Sequence, residues 1–153
     1  SIRADPAYAG GGYAAQPPSL RLANLFYATA TNGGTMNLQA AAPDRASADR
    51  LVDARLAAPP PADANDFIWQ WDSSRDYDPE PLLDRIRARV LAINAADDER
   101  NPPETGLTER AIARVPNARL LLIPASAETL GHGTTGQARF WAEALGAFLR
   151  ELP

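Results

Sequence analysis

The chain has 153 residues, enough for about one domain, with 45% hydrophobic and 22% charged residues. Its net charge is −4 and its basic residues are all arginines without a basic block, so the composition indicates neither a nucleic acid nor an anionic membrane surface as partner. Cysteine is absent, which excludes disulfides, a cysteine nucleophile and thiolate metal sites, and no apolar run approaches the ~20 residues of a membrane span.

The part of the chain before Val90 carries helical patterns and no convincing strand pattern. Glycines and prolines predict an irregular start over residues 1–19, where Asp5-Pro6 would stop any preceding helix. Helical stretches follow, the first ended by Asn32-Gly-Gly34, and a short helical turn is predicted after Pro79. The predicted helices cover residues 20–30, residues 45 to about 58 with Asp44 as N-cap, and residues 64–71, and a polar loop covers residues 73–79.

The rest of the chain has a strand, helix, strand, helix pattern. Val90–Ile93 and Leu120–Ile123 are short continuous apolar runs, which are typical of strands buried on both faces. Leu107–Val115 has helical spacing between them, so a right-handed parallel crossover is predicted. The clearest helix is predicted over Gln137–Leu149, with Thr135 as its cap. Ligands of such a sheet collect beyond the carboxyl ends of its strands.

Each predicted strand is followed by side chains that can carry out chemistry. The first strand is followed by the acidic residues Asp97, Asp98 and Glu99, and the second by His132, the only histidine in the sequence. Because parallel neighbours lie about 5 Å apart, a carboxylate and an imidazole at their carboxyl ends can meet. The carboxylate would accept from one ring nitrogen, fix the tautomer and stabilise the imidazolium. Asn101-Pro-Pro103 would then start the following helix.

Other interpretations of the same residues stay open. The acidic run is also typical of a solvated turn, and His132 of a loop histidine that only hydrogen-bonds, although Gly131 and Gly133 favour close approach to a substrate. One histidine, no cysteine and no calcium-loop spacing disfavour a metal site, and no glycine motif for phosphate is present. Some aromatic side chains are interpreted either as a pocket wall or as packing: Tyr27, Phe67, Trp69 and Trp71.

Several stretches resemble a known family. Asp98 lies four residues before Pro102-Pro103, and Gly131-His132 follows the second strand. The remaining stretches are Ile2–Pro6, Gly11–Tyr13, Gln16–Pro18 and Ser74–Asp78. Over essentially the whole chain, this pattern resembles the C-terminal part of α/β-hydrolases related to homoserine O-acetyltransferase.

The resemblance implies the fold class α/β, as the C-terminal portion of a three-layer α/β-hydrolase sheet with a helical lid. Residues 1–78 would form the lid and residues 79–153 the last part of the core. Asp98 would be the acid and His132 the histidine of a Ser-His-Asp triad. The triad would transfer an acyl group from a small ester or acyl donor to water or an alcohol, without a cofactor. The acetyltransferases usually carry an acidic residue after the histidine, whereas Gly133-Thr-Thr135 follows it here, which favours a hydrolase-like branch.

The nucleophile of such a triad has no counterpart in the sequence. No Gly-x-Ser-x-Gly motif is present, and in the family this elbow precedes the lid. We therefore expect an upstream polypeptide that carries the serine, either cut from a precursor before Ser1 or missing by truncation. Ser1 is interpreted as a cleavage site without a role in turnover. The compartment stays open, since any targeting signal would lie upstream, and the assembled enzyme is compatible with a homodimer. The alternative is a non-catalytic binding or regulatory subunit that keeps the fold without the chemistry.

Overall fold

The computed structural model describes residues 1–30 and 34–152. These residues divide into two compact units. One unit contains Ser1–Thr29 and Asp44–Asp78, and the other contains the described parts of Ala30–Pro43 and Pro79–Pro153. Each unit is thus built from two separate stretches of sequence. None of the described helices is long and apolar enough to cross a membrane.

The regular elements follow the predicted order, with helices first and then an alternation of strands and helices. The helices are α1 (Ser19–Ala30), α2 (Thr35–Ala41), α3 (Arg45–Ala57), α4 (Ala64–Asp72), α5 (Leu107–Ala113) and α6 (Ala142–Arg150). The strands are β1 (Val90–Ala95) and β2 (Ala118–Ile123). Short 3-10 turns cover Ile2–Ala4, Pro6–Gly11, Glu80–Arg85, Pro103–Thr105, Gly131–Gly136 and Ala138–Phe140.

The first unit is a group of helices around a small buried core of Ile2, Leu20 and Ala64. The predicted N-cap of α3 is confirmed, because the Asp44 side chain accepts a hydrogen bond from the amide of Ser47 at 2.8 Å. The stretch predicted to be irregular contains two 3-10 turns instead. Burial of the Ile2 side chain explains this order, since the turns bring an apolar residue near the chain start into the core.

The second unit contains a parallel two-stranded sheet. β1 pairs with β2 in a register that runs from Val90 opposite Ala118 to Ala95 opposite Ile123, and α5 forms the crossover. Burial increases towards the carboxyl ends, where Ala95 and Ile123 are buried, whereas Val90 is only half-buried. The register brings the two strand ends to one edge of the sheet, as predicted.

The opposite, amino-terminal edge of the sheet is closed by α6. The carboxylate of Glu151 accepts hydrogen bonds from the guanidinium groups of Arg89, at 3.3 Å, and Arg119, at 3.1 Å. Both guanidinium groups also lie 5.9 Å from the centre of the Phe148 ring, which is buried. Cation–π contacts and ion pairs of this kind fasten a helix to a sheet edge. These contacts hold the end of α6 against the residues at this edge of the sheet.

The prediction for the last helix was wrong at its start. α6 begins at Ala142 rather than Gln137, and its N-cap residue Trp141 makes no side-chain capping bond. Thr135, the predicted cap, donates its hydroxyl to the carbonyl oxygen of His132 at 3.0 Å instead. The Trp141 indole N–H donates to the Thr135 carbonyl at 2.9 Å, so this region forms turns that fasten the histidine loop.

Two further differences concern helix starts. Asn101-Pro-Pro103 does not lead directly into α5, because Gly106 in a left-handed conformation (φ +64°) separates the Pro103–Thr105 turn from the helix. α2 was not predicted at all. The predicted stop at Asn32-Gly-Gly34 lies outside the described residues except for Gly34, which is the N-cap residue of α2.

Candidate active site

The loops after the two strands meet at the carboxyl edge of the sheet. The amide of Ala96 donates to the carbonyl of Ile123 at 2.8 Å and extends the pairing by one residue beyond β1. The chain then turns, and Asp98 is left 1% exposed. The loop after β2 returns to the same place and brings His132 Nδ1 to 2.9 Å from Asp98 Oδ2. The structure thus brings the two predicted site residues into direct contact.

The Asp98 carboxylate is held by its own loop. Oδ1 accepts from the backbone amides of Arg100, at 2.8 Å, and Asn101, at 3.0 Å, and Oδ2 accepts from the Asn101 side chain at 3.3 Å. Burial raises the pKa of Asp98, but the hydrogen bonds from His132 and from these two residues outweigh burial and leave its pKa below the ordinary value. Asn94, also buried, donates to the Asn101 carbonyl at 2.9 Å and fixes the loop to β1. Asp98 is therefore an ionised acceptor with a fixed position.

The His132 ring is fixed by its contacts on the Nδ1 side. Since an ionised carboxylate only accepts hydrogen bonds, the pair with Asp98 places the proton on Nδ1 and leaves Nε2 as the basic nitrogen. The His132 side chain is 29% exposed, whereas its partner Asp98 is fully buried. Within the described residues no serine hydroxyl hydrogen-bonds Nε2, and Arg100 Nη1 lies 3.4 Å from it. Among the described residues, the site therefore pairs a buried carboxylate with an imidazole, and no serine hydroxyl lies within hydrogen-bond distance of that imidazole.

The loop that carries His132 is braced by buried threonine hydroxyls. Thr134, which is fully buried, accepts from the amide of Leu130 at 2.8 Å across the turn that contains the histidine. The hydroxyl of Thr129, also fully buried, donates to Asp97 Oδ2 at 2.8 Å. The loop is therefore held both before and after His132.

All three residues of the acidic run take part in this arrangement. Asp97 Oδ2 accepts from the amide of Gly131 at 3.3 Å as well as from Thr129, and Glu99 accepts from the amide of Gly34. A solvated turn would leave these carboxylates in water, so that alternative is not what the structure shows. Sequence reasoning missed Thr129 and Gly34, which lie far from the acidic run along the chain and show no local pattern that connects them with it.

Gly34 and Gly131 approach each other through their backbones. Gly34 has φ +70°, and a Cβ atom on it would lie 2.6 Å from the amide nitrogen of Gly131 and 3.0 Å from the carbonyl carbon of Leu130. Gly131 itself has φ +53°, a conformation that other residues rarely adopt. This close contact requires glycine at both positions.

We expect Gly34→Ala to lower the free energy of unfolding by about 1–3 kcal/mol, because the added methyl group would meet backbone atoms that cannot rotate away. Denaturant unfolding of the assembled protein measures this change. Gly136→Ala is the matched control in the same unit, since a Cβ there has no atom within 4 Å, and it should change stability by less than about 0.5 kcal/mol. Equal effects of the two substitutions would contradict the close contact.

The aromatic residues that were interpreted from the sequence either as a pocket wall or as packing lie in the first unit. Tyr27 and Trp71 are in edge-to-face contact with ring centres 5.4 Å apart, and Phe67 lies 6.2 Å from Trp71. Trp69 is 75% exposed. The first three thus pack together within their own unit, whereas Trp69 does not. Across the described residues, no group of three or more histidine, aspartate or glutamate side chains is arranged to hold a metal ion.

Comparison with solved structures places this geometry in a known fold. The chain is similar to homoserine O-acetyltransferase from Bacillus anthracis, with a TM-score of 0.75 and 18% identity over 97% of this chain and 46% of that one. It is also similar to an acetylester hydrolase from Corynebacterium glutamicum, with a TM-score of 0.58 and 18% identity over 94% of this chain and 44% of that one. No protein-family model and no curated protein matches.

Both neighbours have the α/β-hydrolase fold, so the predicted resemblance is confirmed for the fold. The chain is α/β, with a small parallel sheet and many helices that match these neighbours. It spans less than half the length of either neighbour.

Proposed function

We propose that this chain supplies the acid and the base of a Ser-His-Asp acyl-transfer enzyme, which acts as an ester hydrolase or an O-acyltransferase. The observation that carries the proposal is the 2.9 Å contact between the buried Asp98 carboxylate and His132 Nδ1 at the carboxyl edge of the sheet. A carboxylate in this position selects the tautomer in which Nε2 can accept a proton, which is the requirement for activating a serine hydroxyl. The fold shared with an acetyltransferase and an acetylester hydrolase supports the same class of enzyme.

The proposed reaction has two halves that use the same base. A serine hydroxyl attacks the acyl carbonyl while His132 Nε2 takes its proton, and the imidazolium that forms is stabilised by the ionised Asp98. Nε2 then returns the proton to the leaving alcohol, and an acyl-serine ester remains. In the second half Nε2 takes a proton from water or an acceptor alcohol, which attacks the ester, and returns that proton to the serine. Asp98 stays ionised throughout, in line with its lowered pKa.

The serine is proposed to come from an upstream polypeptide, with residues 79–153 as the last part of the core and residues 1–78 as the helical lid. Three observations support this. The chain covers less than half of either structural neighbour, and the apolar residues of β1, Val90–Ile93, are only half-buried although continuous apolar runs are typical of strands covered on both faces. Leu122 of β2 is 38% exposed. Further strands from the upstream polypeptide would cover these side chains.

The small acyl ester or acyl donor is the proposed substrate, and the residues after the histidine favour water as the acceptor. Thr134 and Thr135 are both engaged in bracing the loop, through the amide of Leu130 and the carbonyl of His132. Neither provides the acidic side chain that the acetyltransferases usually carry there. A hydrolase-like activity therefore suits this chain better than acyl transfer to homoserine.

A second candidate is a non-catalytic subunit. The position of Arg100 favours it, because the Arg100 guanidinium lies next to His132 Nε2, where a serine hydroxyl would be needed. The sequence of any polypeptide that copurifies with this chain separates the two candidates, since only the catalytic one requires a Gly-x-Ser-x-Gly motif there. Turnover of an activated ester such as a nitrophenyl acetate, with and without the His132 imidazole, then tests the catalytic proposal directly.

A further inference from the structure

Asp97 has a carboxylate that the proposed reaction does not use. Its Oδ2 atom accepts from the Thr129 hydroxyl at 2.8 Å and from the Gly131 amide at 3.3 Å. Both donors belong to the loop that carries His132, and Thr129 is fully buried. One oxygen of Asp97 thus connects the end of β1 to the two residues that flank Leu130.

The Gly131 amide is the point where this contact acts on the histidine. Gly131 immediately precedes His132 and has φ +53°, where glycine has a freedom that other residues lack. A hydrogen bond to its amide restricts that freedom. Thr129 is fixed as well, because its hydroxyl oxygen also accepts from the Ser126 amide at 3.0 Å and closes a turn. Without the Asp97 oxygen, Thr129 would keep its contacts with Ser126 and the Leu130 amide its bond to Thr134, but the Gly131 amide would lose the carboxylate oxygen that it reaches.

We propose that Asp97 is a positioning residue for His132: it holds the Thr129–Gly131 backbone so that Nε2 points at the reacting hydroxyl while Asp98 holds Nδ1. This inference rests on the proposed function. Its physical basis is that proton transfer requires heavy atoms within hydrogen-bond reach, so a small displacement of the imidazole is costly even when the imidazole itself is intact.

The contacts of Asp97 also allow the effect of its oxygen position to be tested separately from the effect of its charge. Oδ2 makes the two loop contacts, whereas Oδ1 is buried without a hydrogen-bond partner among the described residues. An asparagine carbonyl oxygen can replace Oδ2 in both contacts, and an alanine can replace neither. The positioning role therefore predicts that Asp97→Asn keeps most of the activity that Asp97→Ala loses.

The experiment measures kcat and KM of the assembled enzyme for a nitrophenyl acetate. We expect Asp97→Ala to lower kcat by about 10- to 100-fold with KM within about twofold, because misplacing a group acts on the chemical step. Asp97→Asn should restore kcat to within about threefold of the unsubstituted enzyme. The NMR signal of the His132 Nδ1–H proton should persist in Asp97→Asn and weaken in Asp97→Ala. If Asp97 only stabilised the fold, the signal would be the same in both variants once they are folded.

Val115→Ala is the matched control for general loss of stability, because Val115 is a buried residue of the same unit that lies after α5. It should lower stability and leave kcat per folded molecule unchanged. If Asp97→Ala prevents assembly, Thr129→Val provides the second test, since it removes the hydroxyl that donates to Asp97, together with that hydroxyl's contact with Ser126, and should lower kcat in the same way.

The inference is overturned if kcat is unchanged in Asp97→Ala, or in Thr129→Val when the alanine variant does not assemble. It is also overturned if Asp97→Asn fails to recover kcat. The His132→Ala variant in the same assay keeps this failure distinct from failure of the proposed function. If His132→Ala is inactive and Asp97→Ala is fully active, only the positioning role of Asp97 is disproved. If His132→Ala is active, the catalytic proposal itself is disproved.

Discussion

Replacing His132 with alanine is expected to lower ester turnover by the assembled enzyme by about 10⁴- to 10⁶-fold. The imidazole is the proposed base in both halves of the reaction, and in the part of the chain that the structure describes no second histidine can take its place. Asp98, left without its partner, remains an acceptor of backbone hydrogen bonds, so the loop itself should survive. The measurement is kcat/KM for a nitrophenyl acetate.

The matched control for this substitution is Glu143→Ala, on an exposed side chain in the first turn of α6. It should keep full turnover and full stability. Thermal unfolding of the His132→Ala protein must show that the protein is folded. If His132→Ala turned over the ester as fast as Glu143→Ala, His132 would not be the base and the catalytic proposal would be wrong.

The second large effect is expected for Asp98→Asn, which should lower kcat by about 10⁴-fold. The asparagine amide would donate towards Nδ1, so the imidazole would carry its proton on Nε2 and could no longer accept one from serine. The amides of Arg100 and Asn101 can still donate to the asparagine oxygen, and the backbone of the loop should therefore be preserved. The loss should appear in kcat with KM nearly unchanged.

Asp97→Asn is the neighbouring control for this result. Its carbonyl oxygen can still hold the histidine loop, so its effect should be about threefold or less, compared with about 10⁴-fold for Asp98→Asn. The reverse result, with Asp97→Asn inactive and Asp98→Asn active, would show that Asp97 and not Asp98 pairs with His132 in the working enzyme.

The sheet, and the meeting of an acidic residue with His132 at its edge, could be predicted from two apolar runs that are each followed by polar residues, whereas the choice of Asp98 within the acidic run came from the resemblance to the α/β-hydrolases. Continuous apolar runs predict buried strands, and parallel pairing brings the ends of two such strands to one edge. In the structure, Ala95 opposes Ile123, and each strand is followed by the loop that the sequence indicated. Local capping chemistry likewise predicted the start of α3 at Asp44.

The rest of the site could not be predicted, because it depends on contacts between residues that are distant in sequence. The Gly34 amide reaches Glu99, and the Thr129 hydroxyl reaches Asp97, with no pattern near either donor that indicates its partner. The start of α6 was misplaced for a local reason. Thr135 has the right residue type for a cap, but its hydroxyl bonds to the nearby carbonyl of His132.

The most direct test is to treat the assembled natural protein with a fluorophosphonate, which phosphonylates an activated serine hydroxyl with loss of fluoride, and to locate the label by intact mass and peptide sequencing. The expected result is a single label on a serine of an upstream polypeptide, within a Gly-x-Ser-x-Gly motif, with labelling that is strongly slowed when this chain carries His132→Ala. A label on Ser1 of this chain, or labelling at the same rate without the His132 imidazole, would contradict the assignment of Asp98 and His132 as the acid and base that activate an upstream serine.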